Sequence, residues 1–179
     1  MPNAAYSTEC SAVPSVEAAT GILLRQLVLA AGPLNVLQIG CLYESFTARL
    51  AAAMSENGHG RVICCEPDMV RAQAAAAAVE KAGLGQYAEV RVGGPERLQA
   101  TVPGPVDLLL LAGPPESFLP LLKLVEPRML PGAMVVAHGV RDLQSLCAGF
   151  LAHVRSSGSG YVSLPLPIDG GVEMAVRAA

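Results

Sequence analysis

Apolar positions recur along the chain in two periods, and their succession predicts repeated strand–helix units. From Val13 onward apolar residues return every three or four positions (Val16, Ala19, Ile22, Leu23, Leu27, Ala30) until Gly32-Pro33 stops the pattern, which predicts a helix with one buried stripe. The apolar run 35–40 is the first expected strand. A helix over 44–55 follows, closed by Asn57-Gly58, residues that tolerate the left-handed conformation of a helix end. Residues 61–66 form the second expected strand. Asp68 opens a helix with an unbroken alanine row from Ala74 to Ala78, a composition strongly favouring helix, that stops at Gly83. The third strand is expected over 88–92, and Gly93-Gly94-Pro95 turns the chain into a short helix. The fourth strand is expected over 106–112, a helix from Pro114-Pro115 to just before Pro127, the fifth strand over 133–138 and a helix over 142–155. The last two strands, 161–166 and 171–177, are separated only by Pro167-Ile168-Asp169-Gly170. That link is too short for a parallel crossover and forces an antiparallel hairpin. Right-handed crossovers then leave a doubly wound α/β architecture, a mostly parallel seven-stranded sheet ending in that hairpin. We expect residues 1–12 to be a flexible tail and 13–179 a single domain.

Composition supports strands covered on both faces. Of 179 residues 52% are hydrophobic and 15% charged, as a buried parallel sheet requires, and the apolar excess could also furnish a patch for a partner chain. A net charge of −3, with aromatics at 4% and no basic run, lacks the electrostatic footprint of a nucleic-acid binder. Apolar stretches are broken well short of the ~20 residues a membrane span needs. Residues 1–8 lack a basic segment leading into an apolar one, so no signal peptide is expected and a cytoplasmic location is. The five cysteines, Cys10, Cys41, Cys64, Cys65 and Cys147, contain no CxxC pair and are expected as free thiols in a reducing compartment. His59, His138 and His153 do not complete a zinc set.

In an open parallel sheet, ligands sit outside the carboxyl ends of the strands. That rule nominates 40–45, 66–68, 93–96, 112–116 and 138–142. Gly40 permits a tight turn and approach of a ligand to amides at a helix start, or serves packing alone. The residues after it, Cys41, Leu42, Tyr43 and Glu44, do not continue a GxGxxG fingerprint, which argues against a nicotinamide dinucleotide. Glu66 ends an apolar strand, where a carboxylate can accept both hydroxyls of a ribose, or remains a solvated charge near the next helix. His138, also at a strand end, is the candidate general base, with a purely structural histidine as the alternative.

Val36-Leu37-Gln38-Ile39-Gly40, Cys65-Glu66-Pro67-Asp68, Val106 to Leu111, Leu130 to Ala137 and Leu164 to Val172 together resemble class I S-adenosylmethionine-dependent methyltransferases with a Rossmann-like fold. They are most similar to the small bacterial O-methyltransferases of the catechol and caffeoyl-coenzyme A type. The resemblance implies S-adenosylmethionine as cofactor, held by Gly40, Leu42, Ser45, Glu66, Pro67, Gly94 and Ala112, while His138 is the candidate catalytic residue by its place at a strand end. It also marks departures. Gln38 stands where the family carries an acid for the cofactor's ammonium group, Glu44 replaces a motif glycine, and Gly94 replaces the acid that recognises adenine. Ala112 and His138-Gly139 stand where the family's metal ligands would be, and Pro115 stands for a lysine. No metal is therefore expected, and the acceptor pocket should be open or completed by another chain. Two readings follow: a metal-independent methyltransferase acting on a small-molecule hydroxyl, or a cofactor-degenerate fold kept as a binding or assembly subunit. Homodimerisation, or pairing with another protein, is expected by resemblance.

Overall fold

The computed structural model describes residues 19–41, 44–94 and 104–179, apart from the side chains at 44 and 45. Five α-helices and seven strands alternate as the periodicity requires: α1 (Ala19–Ala31), β1 (Asn35–Ile39), α2 (Glu44–Asn57), β2 (Arg61–Glu66), α3 (Met69–Lys81), β3 (Ala88–Val92), β4 (Leu108–Leu111), α4 (Phe118–Val125), β5 (Met134–His138), α5 (Ala148–Arg155), β6 (Tyr161–Leu166) and β7 (Val172–Arg177). The expected tail over 1–12 and the short helix after Pro95 fall outside the described residues.

The strands form one sheet in the order β3-β2-β1-β4-β5-β7-β6. The first five are parallel, and β7 runs antiparallel to both β5 and β6. This is the doubly wound sheet with one reversed strand that the short 167–170 link predicts. Its strand order reverses between β1 and β4, the switch point at which such sheets bind ligands.

Because successive strand residues point to opposite faces, the central strands feed two cores. Leu37, Ile39, Leu109, Leu111 and Val135 pack with Phe118 and Leu122 of α4 and Phe150 of α5. Val36, Val62, Leu108, Leu110 and Val136 pack on the other face against Leu24 and Val28 of α1 and Leu50 and Met54 of α2. The four leucines of β4 are fully buried. Asp107, just before β4, accepts hydrogen bonds from Leu34 N and Asn35 N at 2.9 Å each, which ties the start of β4 to the start of β1 and sets their register.

The main departures from the expected boundaries lie at β4, around α4 and before α5. β4 begins at Leu108 rather than 106, because the amides of Val106 and Asp107 bond to Arg128 O and Asn35 O on the way in. The helix after Pro114 opens with a 3₁₀ turn over Pro115–Ser117, and a second 3₁₀ turn, Glu126–Arg128, runs through Pro127 instead of stopping before it. Proline is tolerated there because early helical positions have no amide partner to lose. The helix expected from Asp142 begins only at Ala148. Residues 142–146 are turns, and Leu143 and Leu146 remain exposed.

Candidate active site at the carboxyl edge

Glu66 is the last residue of β2 and only 2% exposed. A buried carboxylate needs donors, and its two oxygens find three. Oε2 accepts Cys41 N at 2.6 Å, while Oε1 accepts Asp68 N at 2.9 Å and Arg71 Nη2 at 2.8 Å. Cys41 belongs to the turn that leaves β1, so the carboxylate joins the exits of two neighbouring strands. Asp68 caps α3 by accepting Arg71 N. Helical side chains lean toward the helix start, and this brings the Arg71 guanidinium back over the strand end.

Gly40 has a φ of +92°, and a Cβ there would stand 2.6 Å from Ala112 O and Gly113 N. The close approach that this glycine permits is between the β1 and β4 exits; whatever ligand binds lies beyond that contact. Gly40 N donates to Cys65 O and Ala112 N to Ile39 O, both at 2.9 Å. Gln38, fully buried, donates from Nε2 to Gly40 O at 2.9 Å and accepts Thr47 Oγ1 at 3.0 Å. Its amide therefore clamps the turn to α2, a double role that a carboxylate, lacking a donor, would not fill.

His138 ends β5 on the sheet face shared with α1 and α2. It is 8% exposed, and its ring meets Phe46 edge-on with centroids 5.5 Å apart. Burial lowers its pKa, opposed in part by the negative charge of Asp169. Asp169 lies in the β6–β7 turn at a φ of +41° and accepts Thr20 N of α1 at 2.6 Å. Gly139 N and Val140 N both donate to Gly171 O in the same turn. The hairpin thus closes one side of the rim beside His138.

The structure brings Gly40, Glu66 and Ala112 together around the β1 exit. It sets His138 two strands beyond β1; Ala112 and His138 each follow the last registered pair of β4 and β5, Leu111 and Ala137. Pro67 is exposed at the rim, and Gly94 follows β3 where Gly93 N bonds Glu66 O at 3.0 Å. Leu42 lies outside the described residues; Ser45 is in the first turn of α2, with its side chain outside them. Arg71 was not singled out from sequence, although its place three residues after a capping aspartate, on the helix that follows a strand-ending acid, was available as a signal. Asp169 and Thr47 also emerge only from the fold.

Cys41 and Cys64 have their sulfurs 2.7 Å apart, both buried and free. Burial raises the Cys65 thiol to about 11. Among the described residues no group of three or more His, Cys, Asp or Glu could hold a metal ion, and no helix is long and apolar enough to cross a membrane. Cavities of about 490 Å³ beside His153 and Tyr161 and about 360 Å³ beside Asp107 and Gly132 lie away from this rim. Ligand sites in such sheets follow the strand ends, which gives the Glu66 cluster precedence over either cavity.

The sequence pattern of a family described as a methyltransferase domain matches residues 37–140, a span containing Gly40, Glu66, Ala112 and His138. No curated protein matches the chain in sequence. Among solved structures, the O-methyltransferase from Bacillus cereus in complex with SAH superposes with a TM-score of 0.78 at 22% identity, covering 93% of this chain and 82% of that one. Cofactor-bound Rv0187 from MTB gives 0.81 at 22% identity, over 97% and 84%. The O-methyltransferase TomG from Streptomyces achromogenes, involved in tomaymycin synthesis and in complex with SAM, gives 0.74 at 21% identity, over 92% and 82%. At these identities the likeness establishes the fold.

Proposed function

The chain belongs to a methyltransferase-domain family, and from that premise we propose that it binds S-adenosylmethionine at the β1–β2–β4 rim and methylates a small-molecule hydroxyl without a metal. The observation that carries this reading is the Glu66 carboxylate, buried at the end of β2 and hydrogen-bonded to the turn after Gly40. A carboxylate so held is positioned to accept a ribose hydroxyl, and an acceptor at this strand end fits the hydroxyl donors of a nucleoside.

When bound, the sulfonium cofactor supplies an already activated methyl group. What remains for the protein is to align the acceptor and remove its proton. Burial keeps the His138 imidazole neutral near pH 7, so one ring nitrogen has a lone pair for that proton. Phe46 limits the ring's movement from one side, and the Asp169 charge favours the imidazolium that forms. The metal-independent reading rests on Ala112 and His138-Gly139, which offer no carboxylate where the resemblance expects cation ligands.

Calorimetric titration with S-adenosylhomocysteine tests the proposal. The wild type should bind, and at 100 times the dissociation constant its stability should rise by about 2.7 kcal/mol. E66A should weaken binding by at least roughly tenfold, the loss of one or more charge-assisted hydrogen bonds. One observation favours a second reading, a cofactor-degenerate subunit. The Gln38 amide is committed to Thr47 and Gly40 O, leaving no acid there for the cofactor's ammonium. A flat calorimetric and thermal response in the wild type would decide for that reading.

A further inference from the structure

An ionised carboxylate offers about four lone-pair positions, two on each oxygen. At Glu66 three are filled: Cys41 N on Oε2, with Asp68 N and Arg71 Nη2 on Oε1. A ribose diol accepted through both hydroxyls needs two, so one present donor must leave. Two of the three are fixed. Cys41 N is the backbone amide of a buried residue directly after Gly40, and Asp68 N is held where Asp68 caps α3. Arg71 differs. Its side chain is 46% exposed on a flexible stem, and water is at hand to rehydrate the guanidinium when it swings away.

We infer that Arg71 is a displaceable counter-ion that occupies the diol's place on Glu66 and gives it up when a nucleoside binds. This rests on the proposed nucleoside role of Glu66. Arg71 completes the donor set of a nearly inaccessible carboxylate, and it acts against binding because its ion pair must be broken. Its removal changes both sides of that balance in one direction. The carboxylate is left short of a donor in the free protein, and an incoming diol supplies it with nothing to displace. Arg71 is thus an affinity-setting residue that competes with the ligand for Glu66.

The test compares wild type, R71Q and R71K by calorimetry at pH 7.5 with S-adenosylhomocysteine, with adenosine, and with 2′,3′-dideoxyadenosine, which lacks the diol. Thermal melts check that each variant is folded; the exposed position of Arg71 makes both substitutions mild. R71Q should bind S-adenosylhomocysteine and adenosine roughly three- to tenfold more tightly, the range expected for releasing a half-exposed charge-assisted bond. R71K should fall between R71Q and wild type. Dideoxyadenosine should show no gain. Equal or weaker binding by R71Q, with wild type still binding, would overturn the inference and leave the methyltransferase reading standing. A gain of the same size for dideoxyadenosine would overturn it too, because the displaced contact would not be the diol's. No binding of any nucleoside by wild type or R71Q would overturn both.

Discussion

At the scale of single residues, the site depends on groups whose surroundings restrict what they can do. His138 is the clearest case. Its folded pKa lies below the ordinary histidine value of 6.5, because burial penalises the imidazolium more than Asp169 favours it. A group depressed in this way contributes stability above its unfolded pKa and loses it as pH falls through about 6.5 toward the folded value. Thermal melts between pH 5 and 8 should therefore show wild type losing stability below about 6.5, and H138Q losing less over the same range. As the proposed base, H138Q should lower turnover by about 10²-fold or more while changing S-adenosylhomocysteine affinity less than twofold. Unchanged turnover would remove His138 from the reaction. At Gly40, an alanine would place its Cβ 2.6 Å from backbone atoms of Ala112 and Gly113 at a φ of +92°. G40A should cost roughly 2–4 kcal/mol in urea unfolding, since strain and overpacking both act on backbone that cannot step aside.

The elements show what the sequence pattern reveals and where it stops. β2 was legible as an apolar run bounded by Gly60 and Pro67, and β3 and the closing hairpin as short segments of alternating character bounded by glycine- or proline-bearing turns. The helix before β6 was misjudged at its start. Leu143, Leu146 and Cys147 have helical spacing, but only Cys147 is buried. Helical spacing sustains a helix when the stripe it makes is packed. Here the chain entering the segment is tied to the hairpin through Gly139, Val140 and Arg141. The Cys147 thiol then bonds the carbonyls of Val140 and Leu143 instead of capping α5. Glu66 and His138 could be nominated from sequence because strand ends on one face meet at one rim. The ion pair of Arg71 required knowing that its side chain folds back onto the end of β2, and the Gln38–Thr47 clamp required knowing which face of α2 meets β1. The hairpin carries its own test. Glu173 of β7 is fully buried, with Arg155 of α5 holding both its oxygens at 2.8 and 2.6 Å and Ser163 donating at 2.5 Å. R155A should destabilise the protein by roughly 2–4 kcal/mol in equilibrium unfolding, because a buried carboxylate loses its counter-charge and keeps only the serine.

For the whole molecule, the doubly wound sheet gathers residues far apart in sequence at one edge, and the reversed β7 brings the 167–170 turn alongside β5. Glu66 on one side of the switch point and His138 on the other lie about three strand spacings apart, ~14 Å. β1 and β4 run between them, with Gly40 and Ala112 in direct backbone contact. A nucleoside anchored at Glu66 with its tail crossing those two strands would bring its reactive end toward His138. The methyltransferase reading needs that span, and the subunit reading does not. The most direct test is a crystal structure of the wild-type protein grown with S-adenosylhomocysteine. The ribose hydroxyls should lie within hydrogen-bond distance of the Glu66 carboxylate, with the guanidinium of Arg71 turned off it and the thioether over Ala112. Arg71 still seated on Glu66, with the nucleoside absent or bound elsewhere, would refute a nucleoside site at this rim.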